Sequence, residues 1–212
     1  MDFNCAPPEV MPTSWYERQA PEALRDFFSA NNARELEIAI QTFASIFCFM
    51  PDVAKVKAIP ANELEYTFNR LFVGPMALSA PPYSSVYLDA EGLLMSKTTL
   101  TVRKVLQEAG LSFVQENILP DDHIAVELDA FLGVSFILGQ LKANETLPLE
   151  QKQELIAVYC STQIWLVEHL QKWLPLFTAK ILENIESSCP MQVVSKGLLF
   201  WLKEIQGRFG CA

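Results

Sequence analysis

From Ala33 onward, apolar residues in this chain recur at intervals of three and four, and no stretch alternates apolar with polar residues as a half-buried strand would. That period restricts the fold to helices packed through apolar stripes. Leu36, Ile40, Phe43, Ala44 and Phe47 mark one face of a helix from about Ala33 to Met50, closed by Pro51. Asn62 caps a short helix carrying Leu64, Phe68, Leu71 and Phe72, ended by Gly74-Pro75. Thr98 or Thr99 opens another, with Val102, Val105, Leu106 and Ala109, stopped by Gly110. Asp121 caps a strongly apolar helix from about Asp122 to Leu141, whose buried side is Ile124, Leu128, Phe131, Leu132, Ser135 and Leu138.

The second half repeats this habit. Pro148 suits the first turn of a long helix running through Tyr159 and Trp165 to about His169, and the polar Lys142 to Glu145 segment before it is a hinge. Two further helices are expected near Pro175 to Ile185 and Pro190 to Gln206. There is no internal repeat, low-complexity tract or Gly/Ser linker. The expectation is all-α: one helical bundle domain spanning residues 1–212.

One long stretch departs from the pattern. Gly74 to Gly92 has no helical period and is rich in Pro, Tyr and small residues, and loops of such length inside a domain are commonly functional or disordered. Its apolar content argues against disorder. Pro81-Pro82 favours an extended backbone that presents Tyr83, Val86 and Tyr87 in fixed directions. The alternative is that these aromatics simply pack the loop onto the helices.

Composition narrows the partners. Half of the 212 residues are apolar and 19% are charged, which fits a globular chain and excludes a disordered one. The formal net charge of −9 opposes a phosphate backbone, so nucleic acid is not an expected partner; it favours a basic segment, or marks only a solvated acidic surface. Five widely spaced cysteines without a C-x-x-C pair read as reduced thiols. Met1-Asp2-Phe3-Asn4 lacks the basic run of an export signal, and the longest uncharged run, Leu71 to Leu88, is broken by Pro75, Pro81 and Pro82. A cytoplasmic protein with no integral membrane association is expected.

Catalytic signatures are sparse. The chain has no phosphate-binding loop, dinucleotide fingerprint or nucleophile elbow. Cys160 and His169, nine residues apart on one helical segment, face different sides and are too distant to pair. In Asp121-Asp122-His123, either Asp121 caps a helix with Asp122 in its first turn, or the three form an acidic corner that receives a cation, His123 adding a donor or a pH-sensitive charge. With two histidines, His123 and His169, no closed metal set is named, and a metal-dependent hydrolase would need a second ligand cluster. Glu127 either joins the His123 face or pairs with a charge at the surface.

Four motifs in order carry a resemblance: Phe68-x-x-Leu71-Phe72-x-Gly74-Pro75; Ala80-Pro81-Pro82-Tyr83-x-Ser85-Val86-Tyr87-Leu88-Asp89; Pro120-x-Asp122-His123; and Glu168-His169-Leu170-x-x-Trp173-x-Pro175-x-Phe177. Together they resemble the TorD/DmsD family of cytoplasmic chaperones for molybdenum redox enzymes, the first half being especially similar to the DmsD branch. The resemblance implies a helical protein that binds the twin-arginine signal peptide of a reductase catalytic subunit and delays export until the cofactor is loaded. Carried over, the leader-binding surface falls on Phe68, Leu71, Phe72, Pro81, Pro82, Tyr83, Asp122 and His123. In the DmsD branch the positions of Phe68 and Tyr83 are usually tryptophan.

Its implied partners are the leader and the reductase precursor, with the export machinery as a further one. Relatives are linked to guanine nucleotides, but without a phosphate loop here no cofactor is expected. Either a monomer or a dimer that exchanges halves at the Lys142 to Glu145 hinge is compatible. The alternative client is another respiratory reductase subunit, one without a twin-arginine leader.

Overall fold

Trp15 and Trp201, far apart in sequence, meet in one apolar core: both are buried, the Trp201 indole donates to the Tyr16 carbonyl at 2.9 Å, and the cluster that holds them draws on every described helix but one short one. The computed structural model describes residues 12–50, 53, 61–74, 78–111, 119–186 and 190–209. After a π-helical turn at Trp15–Gln19 come α1 (Ala20–Phe28), α2 (Ala33–Ile46) and α3 (Ala61–Phe68), the last continuing as a π-turn over Asn69–Val73. Then follow α4 (Ser84–Leu88), α5 (Lys97–Glu108), α6 (Ile124–Ala143), α7 (Leu149–Glu183) and α8 (Pro190–Phe209). No strand occurs among the described residues, so the all-α expectation holds.

Helix α6 is central. It packs against α1 on one side and α7 on another, while α7 packs against α8 and α1 against α2. Nine of its residues are buried, Ile124, Leu128, Phe131, Val134 and Leu138 among them. By length and composition it is apolar enough to cross a bilayer, although its buried stripe is what a core helix needs. Arg25 on α1 ties it further, donating to Asp129 at 2.9 Å, and is itself held by its α1 neighbour Asp26 at 2.7 Å.

Several expected boundaries shift. Asn32 caps α2 by accepting from the Glu35 amide, but α2 ends at Ile46. Pro51 and Pro75, read as helix stops, lie outside the described residues. At Gly74, φ is 98°, the left-handed turn expected there, and Gly110 likewise turns at 70°. Helix α5 begins at Lys97, and its first turn is held by Asp89, which accepts from the Thr98 amide at 2.9 Å and the Thr98 hydroxyl at 2.8 Å.

The largest correction concerns α7. Pro175 does not start a new helix; it lies inside one continuous helix of 35 residues. Its ring is on the exposed side, while Trp173, Leu174 and Phe177 around it are buried, so core packing outweighs the lost backbone bond. The thiols divide as well. Cys160 is free and half-buried, whereas Cys48 is disulfide-bonded, contrary to the expectation of reduced thiols throughout. Cys5, Cys189 and Cys211 lie outside the described residues.

Candidate functional site

The two segments singled out in the sequence meet. Pro82 and Tyr83 run antiparallel to His123 and Ile124: the Ile124 amide donates to the Pro82 carbonyl at 2.9 Å, and the Ser84 amide to the Asp122 carbonyl at 2.9 Å. Pro81-Pro82 thus has the extended backbone its sequence favours, and it delivers the chain into α4. That five-residue helix has no side-chain cap from Tyr83, its own N-cap residue. Asp122 supplies one instead, its Oδ2 accepting from the Ser85 amide at 2.9 Å. A carboxylate at a helix N-terminus is favourable on charge grounds too.

Each member of the Asp121-Asp122-His123 triplet has its own partner. Asp121 pairs with Arg103 of α5 at 2.7 Å and does not cap α6. That cap is His123, whose Nδ1 accepts from the Ala125 amide at 3.1 Å. His123 is almost wholly buried, and burial lowers its pKa from 6.5 to about 4. It is therefore neutral near neutral pH, and the pH-sensitive charge expected of it does not exist there. Asp122 is fully buried, and its Oδ1 has no hydrogen-bond partner, nor has the neighbouring Ser85 hydroxyl.

Burial also sorts the aromatic candidates. Phe68, Leu71 and Phe72 are core residues at 3%, 0% and 5% exposure, Phe68 standing edge-on to Phe27 and Phe72. They are closed off from solvent in the core, and they meet the corner segment through the Leu71 carbonyl, which accepts from the Ala80 amide at 3.1 Å. Pro82 is buried too, while Pro81 and Tyr83 are half-buried and lie at the surface. Burial, and then the Asp122 charge, raise the Tyr83 hydroxyl pKa. The exposed part of the eight-residue set is thus Pro81 and Tyr83.

A polar network that the sequence reading did not assemble lies beneath α4. Glu127, fully buried, approaches His169 Nε2 with Oε1 at 3.1 Å and accepts from the Trp173 indole with Oε2 at 3.0 Å. His169 Nε2 also meets the Ser84 hydroxyl at 3.1 Å, and its ring stacks on Trp165 with centroids 4.9 Å apart. Burial raises the Glu127 pKa, against the opposing pull of His169, Trp173 and Ser84. Glu127 is therefore not a surface ion-pair partner. The only sequence trace was His169-x-x-x-Trp173, one helical turn apart, quoted as part of a motif without a role.

Serine, histidine and glutamate together invite comparison with a nucleophilic triad. In such a triad the acid holds one ring nitrogen and the serine the other. Here both meet Nε2, and Ser84 is fully buried. Among the described residues no group of three or more His, Cys, Asp or Glu side chains comes together as a metal site.

Comparisons agree with this architecture. The nitrate reductase delta subunit family model matches residues 20–179. The chain is 37% identical over 78 residues to the Tat proofreading chaperone DmsD of Salmonella typhi, covering 37% of this chain and 38% of that protein. It is 34% identical over 159 residues to the chaperone protein TorD of Aliivibrio fischeri, covering 68% and 70%. The match to TorD of Vibrio parahaemolyticus spans 51% of that protein, so the chain spans between a third and a half of several curated relatives. A crystal structure of an Archaeoglobus fulgidus protein assigned to redox enzyme maturation superposes with a TM-score of 0.55 at 18% identity, covering 94% of this chain and 99% of that one. Matched over residues 20–179 and sharing this helical fold, the chain belongs to the nitrate reductase delta subunit family, the family of the TorD and DmsD chaperones.

Proposed function

We propose that this chain is a cytoplasmic chaperone, acting as one helical domain, that binds the twin-arginine signal peptide of a molybdenum reductase catalytic subunit. It assists that subunit's folding and cofactor loading and delays its export. The observation that carries the reading is the corner itself. Tyr83 and Pro81 stand at the surface on a segment pinned to residues 122–124, beside a buried carboxylate with one oxygen unpaired. An apolar peptide segment packs on Pro81 and Tyr83, and an arginine that displaces the local packing satisfies Asp122 Oδ1. A hydrogen bond to such a charged group contributes about 1.5 to 3 kcal/mol. Phe68, Leu71, Phe72, Pro82 and His123 shape this surface from beneath.

Binding of this kind is an equilibrium without turnover. It draws support from relatives whose names specify Tat proofreading and chaperone activity. Calorimetric titration with a twin-arginine leader from a dimethyl sulfoxide reductase-type subunit tests it, alongside the same peptide with both arginines changed to alanine. The expected result is binding that drops at least tenfold in the alanine peptide, about 1.4 kcal/mol or more. Equal affinity for both peptides would overturn the arginine role.

The family's description as nitrate reductase delta subunit favours a second reading, an assembly chaperone for a respiratory reductase subunit without such a leader. Binding to a precursor segment lacking the paired arginines, with none to the twin-arginine leader, selects it.

A further inference from the structure

Helix α4 is short, and it is held from below by a buried carboxyl group whose charged form costs free energy to bury. Glu127 has no exposed surface, and an ionisable group so placed is costly unless its geometry is used for something. Its two oxygens take two residues of α7 one turn apart, His169 and Trp173. Each of those in turn contacts α4: His169 meets the Ser84 hydroxyl, and Trp173 stacks on Tyr87 with centroids 5.9 Å apart. One carboxyl group therefore holds α7 at two of the points where it touches α4. Apolar packing alone would hold the helix without fixing its register.

Resting on the leader-binding reading, we propose that Glu127 and His169 are positioning residues for leader binding: through Ser84 they anchor α4 and fix the direction in which Tyr83 is presented. Tyr83 directly precedes Ser84, so a displacement of α4 carries Tyr83 with it and loosens the Ser85–Asp122 cap. Neither Glu127 nor His169 is exposed enough to touch a docked peptide, which makes their action indirect.

The test uses the full chain, the same twin-arginine leader, and the variants Ser84→Ala, Glu127→Gln and both together. Three quantities are read: leader affinity, the urea midpoint, and amide exchange at Ser84 and Ser85 compared with exchange at Phe131 in the middle of α6. Ser84→Ala removes one hydroxyl contact and is the variant least able to unfold the protein. Losing that bond is expected to weaken leader binding about fivefold and to speed Ser85 exchange about fivefold, leaving Phe131 exchange unchanged. Glu127→Gln keeps the shape and the acceptor for Trp173 and shifts both quantities in the same direction. Because the pair acts through Ser84, the double variant binds no more weakly than the weaker of the two single variants, whereas independent structural losses would add.

Leader affinity within twofold of wild type in Ser84→Ala, with wild type itself binding, overturns this inference and leaves the chaperone reading intact. Additive losses in the double variant, or weakened binding without faster Ser85 exchange, also overturn it. Failure of wild type to bind the leader overturns the chaperone reading, and this inference with it.

Discussion

Tyr83 and His123 face each other across an antiparallel bridge, their rings edge-on with centroids 5.0 Å apart. The histidine in that pair is a neutral acceptor. Its Nδ1 lone pair holds the first turn of α6, and protonating it would break that bond at a buried position.

This gives His123 a definite effect on stability. Its pKa in the folded protein, about 4, lies below the ordinary 6.5, so between those values the unfolded chain binds a proton that the folded chain does not. Stability therefore falls as pH drops from 6.5 toward 4 and levels off below, with at most about 3 kcal/mol involved. Glu127 acts with the opposite sign: its pKa is raised above 4.5, so its stabilisation is present at low pH and is lost as pH rises through its folded value. That term is common to wild type and a His123 variant. His123→Asn keeps an acceptor for the Ala125 amide and should flatten the slope between pH 6.5 and 4 in urea midpoints. An unchanged slope would mean that His123 is not the group responsible.

Asp122→Asn separates the two roles of that side chain. The amide oxygen still accepts from the Ser85 amide, so the fold should survive, with a urea midpoint close to wild type. The charge facing an incoming arginine is gone. Leader affinity is expected to fall about tenfold by calorimetry. Full retention of affinity would assign the arginine contact elsewhere.

Gly197 on α8 sits against the aromatic floor of α2. A methyl group there would approach Phe43 Cζ to 2.7 Å and Cε2 to 2.8 Å, and Phe43 is itself stacked on Phe47 with centroids 4.4 Å apart. Both rings are fully buried and have little room to retreat. Gly197→Ala should lose about 1 to 3 kcal/mol in urea unfolding. A stable variant would show that this helix pair slides.

Two aromatic positions should differ in their tolerance of tryptophan. Phe68 is enclosed by Phe27 and Phe72, whereas Tyr83 is half-buried at the surface. Phe68→Trp adds volume to a filled core and should cost about 1 to 3 kcal/mol, while Tyr83→Trp should stay within about 0.5 kcal/mol. Equal costs, measured by thermal unfolding, would contradict this division between core and surface.

Periodicity made most helices legible because each buries a single stripe: Leu36, Ile40 and Phe43 in α2, and Val102 and Leu106 in α5, are buried as their spacing requires. Helix α1 was not read, although Ala20, Leu24, Phe27 and Phe28 are buried there. That omission explains why the fate of Phe68 was illegible: Phe27, which covers it, is on the unread helix. The residues of the corner were legible as two separate motifs. Their union was not, since it depends on hydrogen bonds between Pro82 to Ser85 and Asp122 to Ile124, about forty positions apart, that local spacing does not encode. The same holds for Glu127 and His169, joined across 42 positions.

A helix of five residues has almost no tendency to form alone, and the cap that starts α4 is borrowed from Asp122, 37 positions later in the chain. The conformation of the segment that presents Tyr83 therefore depends on contacts from residues 122–124 and from α7. Closing so long a loop must precede the contacts that reward it. A copy of the chain in which residues 82–85 and 122–124 have not met would lack the surface proposed to receive a leader. Under the proposed reading, the chain would offer its leader-binding corner only once its own distant segments have come together.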